Sequence, residues 1–213
     1  MELKGKKINF LGDSITEGVG ASEYARCYLE QFASATGAIC RNYGISGTRI
    51  AKRRVPYDIP EFDRYYASRV PEMDPDADIV VVFGGTNDYG HGDAPFGEFS
   101  DRTNDTYVGA CHFLFSELIK KYPAARIVVM TPCQRTGGNN PSAANGRPLI
   151  DYVDAMKEVA AYYSLPVLDL YRAGGICPDV EAHRNLFMPD GLHPNDAGAY
   201  RLAETMAAFL QTL

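Results

Sequence analysis

Five consecutive apolar residues, Ile79-Val80-Val81-Val82-Phe83, constrain this chain more than any other stretch. A strand points successive side chains to opposite faces, so a run without a polar residue is apolar on both. Such a strand belongs inside a sheet covered on both sides, as central parallel strands are. The run stops abruptly in Gly84-Gly85-Thr86-Asn87-Asp88, a polar loop. The same pattern recurs along the chain. Ile8 to Leu11 runs into Gly12-Asp13-Ser14, and Ala38 to Tyr43 into Gly44-Ile45-Ser46-Gly47. Ile127 to Met130 runs into a loop rich in Gly, Asn and Pro, and Pro166 to Leu170 gives a fifth strand.

Helical periodicities lie between these runs. Ser22 to Ala35 places Tyr24, Cys27, Tyr28, Phe32 and Ala35 on one face, with Ser22 as the expected cap. Prolines bracket a predicted helix around Glu61 to Val70. Val108, Cys111, Phe115, Leu118, Ile119 and Tyr122 mark a third helix, and Leu149, Tyr152, Val153, Met156, Ala160 and Tyr163 a fourth. Asn195 or Asp196 caps a last helix, expected to turn Tyr200, Ala203, Met206, Ala207 and Leu210 inward. Five alternations of strand and helix predict a five-stranded parallel sheet between two helical layers, an α/β sandwich with right-handed crossovers. With no repeat, low-complexity segment or linker, residues 1–213 are expected to form one domain.

A net charge of −6, with no basic run beyond Lys52-Arg53-Arg54, points away from nucleic acid and anionic membranes and towards a small-molecule partner. Five cysteines without a C-x-x-C pair read as free thiols in a reducing compartment. The apolar run behind the N-terminal lysines is too short for a signal-peptide core, and no stretch approaches a membrane span. A cytoplasmic protein is expected, and the sequence specifies no oligomeric state.

In a parallel sheet, chemistry collects beyond the carboxyl ends of the strands. Four polar clusters follow strands or precede a helix there: Gly12 to Ser14, Gly44 to Gly47, Gly84 to Asp88, and the late loop Asp190-Gly191-Leu192-His193. A serine nucleophile needs a base, a carboxylate to fix the base's tautomer, and donors for the oxyanion. Ser14, His193 and Asp190 are the candidates for the first three roles. The Ser14 and Gly44 backbone N–H groups and the Asn87 amide are the candidate oxyanion donors. Each has a plainer reading alone: Ser14 as a helix cap, His193 as a surface histidine, Asp190 and Gly44 as turn residues, Asn87 as an Asx turn. His112 reads as a core histidine, His183 has no motif context, and Asp88 reads as a turn carboxylate.

Gly12-Asp13-Ser14-Ile15-Thr16, Asn42-Tyr43-Gly44-Ile45-Ser46-Gly47, Gly84-Gly85-Thr86-Asn87-Asp88 and Asp190-Gly191-Leu192-His193 resemble, in order and across nearly the whole chain, the four blocks of the SGNH or GDSL esterase and lipase family. The resemblance implies a three-layer, flavodoxin-like hydrolase fold and an acyl-enzyme mechanism that requires no metal or cofactor. It implies Ser14 as nucleophile, His193 as base and then acid, Asp190 as its orienting partner, and Gly44 and Asn87 beside the Ser14 N–H in the oxyanion hole. Specificity is expected from two long loops, 89–102 and 133–147. Asp13, Tyr89, His91 and Arg135 are the candidate substrate contacts, with anchoring of loop backbone as the alternative for Asp13. Mixed aromatic and polar loop content, without an aliphatic trough, favours a short acyl ester of a polar alcohol such as a carbohydrate. A lysophospholipase or thioesterase is the alternative within the family. A noncatalytic small-molecule-binding module of the same fold is the alternative outside it, although no P-loop or dinucleotide fingerprint supports one.

Overall fold

A computed structural model describes residues 1–213. In chain order the elements are β1 (Lys7–Gly12), α1 (Ser14–Glu17), α2 (Tyr28–Thr36), β2 (Ile39–Gly44), α3 (Tyr66–Arg69), β3 (Ile79–Phe83), α4 (Thr86–His91), α5 (Tyr107–Lys121), β4 (Arg126–Met130), α6 (Leu149–Tyr162), β5 (Val167–Leu168), α7 (Leu170–Ala173), α8 (Glu181–Phe187) and α9 (Asp196–Thr212). The strands form one sheet in the order β2-β1-β3-β4-β5. Every neighbouring pair is parallel. Gly12 registers with Gly44 on one side and Phe83 on the other, and Phe83 with Met130. The carboxyl ends of four strands are therefore level, and the loops that leave them share one edge.

Alternation along the strands divides the interior into two cores. Ile8, Phe10, Val81 and Phe83 face Tyr28 and Phe32 of α2 and Leu202 and Met206 of α9. Leu11, Val80, Val82 and Val129 face Leu114 and Phe115 of α5 and Tyr152 and Met156 of α6. β3 buries all five of its residues, as its unbroken apolar run requires.

Several sequence expectations change. The helix expected from Ser22 begins at Tyr28, because Ser22 is held elsewhere: its N–H and hydroxyl donate to the Asp196 carboxylate at 2.8 and 2.7 Å. Tyr24–Arg26 forms only a 3-10 turn, and Cys27 is extended. The segment around Glu61 to Val70 is not one helix. Pro60–Asp63 is a 3-10 turn, Arg64 leaves helical space at ψ 76°, and only Tyr66–Arg69 is α-helical. Asp63 contributes to that break, since its carboxylate accepts the Tyr57 N–H at 2.6 Å. The fifth strand is confined to Val167–Leu168, and the segments on either side of Cys177 contain the short helices α7 and α8. The start of the 89–102 loop belongs to α4. Tyr200 is 53% exposed, not inward, because the buried stripe of α9 runs through Ala199, Leu202, Ala203, Met206 and Leu210.

The short helix α3 staples the strand ends together. Arg69 is buried and donates Nη1 to the carbonyls of Tyr43 (2.5 Å) and Gly12 (3.1 Å), and Nη2 to Thr48 Oγ1 (3.1 Å). Tyr66 donates its hydroxyl to the Phe83 carbonyl at 2.8 Å. Carbonyls at the ends of β1, β2 and β3 thereby accept from side chains of one turn where the strand ladders run out.

Candidate active site

β1 delivers Ser14 to the first position of α1. Asp13 caps that helix by accepting the Ile15 N–H at 3.1 Å, which aims the next side chain across the sheet edge. Ser14 Oγ lies 2.9 Å from His193 Nε2. His193 Nδ1 lies 2.6 Å from Asp190 Oδ2, and the other carboxylate oxygen accepts the backbone N–H groups of His193 (2.7 Å) and Leu192 (2.8 Å). Burial works against ionisation of Asp190, but these hydrogen bonds hold its carboxyl below the ordinary carboxylate range. An ionised Asp190 accepts a hydrogen bond from Nδ1–H and so keeps the ring proton on Nδ1, which leaves Nε2 with its lone pair towards the serine hydroxyl.

The neighbouring donors are arranged differently from expectation. The Gly44 N–H is already spent: it donates to Asn42 Oδ1 at 2.8 Å, and Gly44 does not line the cleft. Its lack of a side chain serves packing, since a Cβ there would sit 2.3 Å from Glu17 N in α1. The residue three positions on combines a place in the cleft lining with an unpaired N–H. Thr48 N–H bonds back to the Ile45 carbonyl at 3.3 Å, closing a turn that puts Gly47 at φ +72°, and Gly47 lines the cleft. No protein acceptor takes the N–H of Gly47 or that of Ser14. The second glycine of Gly44-Ile45-Ser46-Gly47 was visible in the sequence, but only the turn tells the two apart.

Asn87, on the first turn of α4, is buried and lines the same cleft. Its Nδ2 donates to the Thr48 carbonyl at 3.0 Å, leaving a second N–H free. Its Oδ1 lies 3.1 Å from His91 Nε2, and His91 Nδ1 lies 3.2 Å from Arg49 Nη1. A guanidinium only donates, so Nδ1 is the acceptor, Nε2 carries the proton, and the Asn87 atom facing it is the oxygen. Desolvation, reinforced by Arg49, lowers the His91 pKa below its ordinary value of 6.5 and favours this neutral tautomer. The same Arg49 Nη1 donates to the Gly47 carbonyl at 3.1 Å, so one buried side chain braces both loops.

Ser14, Val19, Ser46, Gly47, Asn87, Gly90, His91, Arg135, Leu192 and His193 enclose a cleft of about 290 Å³. Of the four candidate substrate contacts, His91 and Arg135 line it and Asp13 and Tyr89 do not. Asp13 lies buried at the start of α1, where desolvation raises its pKa to about 6. Tyr89 spends its hydroxyl on the carbonyls of Gly137 (2.7 Å) and Asn140 (3.1 Å) and supports the second long loop. Asp88 ties α4 to the loop after β2, accepting the N–H groups of Ile50 (3.0 Å) and Ala51 (2.8 Å). His112 is buried in α5 against Tyr163, and His183 accepts the Cys177 N–H; neither reaches the cleft. The five cysteines are unpaired. No group of three or more His, Cys, Asp or Glu side chains is arranged to hold a metal ion, and no helix is long and apolar enough to cross a membrane.

Comparison with known proteins places this geometry in a family. The model of the GDSL-like lipase/acylhydrolase family matches residues 10–201. One solved crystal structure is 34% identical over 100% of this chain and 99% of its own, with a TM-score of 0.88. A protein from Lactobacillus plantarum is 30% identical, with 98% of each chain covered and a TM-score of 0.85. A carbohydrate acetylesterase family member from Sinorhizobium meliloti shares the fold at 16% identity, with a TM-score of 0.67 over 97% of this chain and 98% of that one. No curated protein sequence matches the chain. A family match across nine-tenths of the sequence, on a five-stranded parallel sheet, has one consequence: the chain belongs to the GDSL-like lipase/acylhydrolase family of ester-hydrolysing enzymes.

Proposed function

We propose that this protein is a serine esterase that cleaves short acyl esters of a polar alcohol through an acyl-enzyme on Ser14. The Ser14 Oγ to His193 Nε2 distance of 2.9 Å, with Asp190 fixing the far side of the ring, is the observation that carries the reading. His193 takes the hydroxyl proton as Ser14 Oγ attacks the ester carbonyl carbon, and the carbonyl π electrons move onto oxygen. The oxyanion is held by the N–H groups of Ser14 and Gly47 and by the free N–H of Asn87, a set that replaces Gly44 with Gly47. Collapse of the tetrahedral intermediate breaks the bond to the alcohol oxygen, which leaves with the proton from His193. Water repeats the sequence on the acyl-enzyme, freeing the acid and restoring Ser14.

The cleft supports the substrate class. Val19 and Leu192 are the only aliphatic side chains among its lining residues, so little surface is available to a long acyl chain. A fold neighbour named as a carbohydrate acetylesterase family member is consistent with an acetyl group on a sugar hydroxyl. The test is labelling by a fluorophosphonate, with the adduct located by mass spectrometry, alongside hydrolysis of 4-nitrophenyl esters from acetyl to decanoyl. The reading expects an adduct on Ser14, loss of turnover in Ser14→Ala, and rates that fall with chain length. Undiminished turnover in Ser14→Ala overturns the mechanism, and rates rising with length overturn the substrate class.

A further inference from the structure

The protein carries a net charge of −6, yet no aspartate or glutamate lines the cleft. Its ionisable wall consists of His91, His193 and Arg135. The arginines behind it are neutralised: Arg49 pairs with Asp63 at 3.4 Å, and Arg53 with Asp93 at 3.7 Å. Arg135 has no such partner. Its Nη1 donates to the carbonyl and hydroxyl of Thr86 at 3.3 and 3.2 Å, both uncharged acceptors. Its Nε and Nη2 have no protein acceptor and are not sealed from solvent.

This guanidinium is also held in place. It lies over the Tyr89 ring, Cζ 5.6 Å from the centroid, and passes so close to Gly90 that a Cβ there would meet Nη1 at 2.7 Å. The loop bearing it is tied to the catalytic loop by Thr136 N–H donating to the Gly191 carbonyl at 2.8 Å. A planar fork with unused donors, fixed beside a nucleophile in a wall without carboxylates, matches an oxyanion group better than a neutral hydroxyl.

We infer that Arg135 is an anion-binding subsite, and that the ester cleaved at Ser14 carries a further carboxylate or phosphate group. This rests on the esterase reading and narrows it. A charged group on the substrate exchanges solvation for paired hydrogen bonds to Nε and Nη2, and the Arg135 charge draws it into a cleft on an otherwise acidic protein.

The experiment compares charged and neutral esters of matched size. Mono(4-nitrophenyl) succinate against 4-nitrophenyl butyrate places the carboxylate on the acyl side; 3-acetoxybenzoate against phenyl acetate places it on the alcohol side; 3-acetoxyphenyl phosphate replaces carboxylate by phosphate. In the wild-type protein at least one charged ester is expected to exceed its neutral partner in kcat/KM by about tenfold to a hundredfold, the range of a charge-assisted hydrogen-bonded contact. That ratio falls to near one in Arg135→Gln and is retained in part in Arg135→Lys. It also shrinks in the unaltered protein as salt is raised, a readout that depends on no variant. If neutral esters are turned over through Ser14 and no charged ester is preferred, or if the preference survives Arg135→Gln, the subsite is overturned while the esterase stands. If Ser14 takes no fluorophosphonate and no ester is cleaved, both fall together.

Discussion

His91 Nε2 lies 3.1 Å from Asn87 Oδ1, and this contact joins the Nδ2 bond to the Thr48 carbonyl in fixing the orientation of the Asn87 amide. The imidazole is itself fixed by Arg49 at Nδ1, 3.2 Å away. An arginine two residues after Gly47 and a histidine four residues after Asn87 thus orient a donor that neither of them replaces.

Replacing Asn87 by alanine removes a proposed oxyanion donor, and a loss of about a hundredfold or more in kcat is expected. His91→Phe keeps bulk but removes one of the two contacts that orient the amide. The expected loss is smaller, about tenfold, with KM little changed, since the misplaced donor acts on the transition state. Steady-state kinetics on 4-nitrophenyl acetate measures both. A His91→Phe protein with unaltered kcat removes the orienting role.

Gly44 and Gly47 are expected to respond differently to alanine. At Gly44 the added Cβ meets backbone of α1, 2.3 Å from Glu17 N, so the helix bearing Ser14 must move. Overpacking of this kind costs about 1–3 kcal/mol, and stability and activity fall together. At Gly47 the cost is the left-handed conformation, φ +72°, about 1–2 kcal/mol, with the Phe62 ring 3.3 Å from the new methyl. Because Gly47 lines the cleft with its N–H unpaired and is a proposed oxyanion donor, Gly47→Ala is expected to lower kcat by about tenfold or more, beyond what its stability loss explains. Thermal denaturation beside kcat separates the cases.

Much of this site was legible because it follows strand ends. A run such as Ile79 to Phe83 announces a central strand, and where it stops, the polar residues after it must stand at the sheet edge. The pairing of Ser14 with His193 across the chain needed only that rule and the block order. The contacts that hold these parts obey no local periodicity. Arg69, four-residue α3 and the Gly12 and Tyr43 carbonyls meet through tertiary folding, as do Ser22 and Asp196, which displaced an expected helix start. The exchange of Gly47 for Gly44 turned on one hydrogen bond, Gly44 N–H to Asn42 Oδ1, which no spacing encodes.

The His91 environment also predicts a pH effect on stability. Its folded pKa lies below the ordinary 6.5, through desolvation and then the nearby charges of Arg49, Arg53 and Arg135. Between the folded and unfolded values the unfolded chain binds more protons, so stability rises with pH. The contribution is complete above the unfolded value and is lost as pH falls below it. Asp13 and Asp88 act in the opposite sense, since burial raises each to about 6 and favours the protonated folded state at lower pH. The measurement is therefore a difference: the stability gap between wild type and His91→Phe, from urea denaturation, should move against the wild type as pH falls from about 7 to about 5. A gap independent of pH contradicts the assignment.

Asp190→Asn tests the catalytic base through its tautomer. Asp190 Oδ1 accepts two backbone N–H groups, from Leu192 at 2.8 Å and His193 at 2.7 Å, and Oδ2 faces the ring at 2.6 Å. In asparagine the carbonyl oxygen must stay with the two backbone donors, because an amide NH2 cannot accept from them. The NH2 then faces His193 Nδ1 and donates to it, which forces the ring proton onto Nε2. A protonated Nε2 has no lone pair for the Ser14 hydroxyl 2.9 Å away. The loop keeps its hydrogen bonds, so the variant is expected to fold normally while kcat falls by about a thousandfold or more. Circular dichroism and steady-state turnover check the two halves together. A folded Asp190→Asn protein with near-normal kcat shows that His193 is not the base that Ser14 uses.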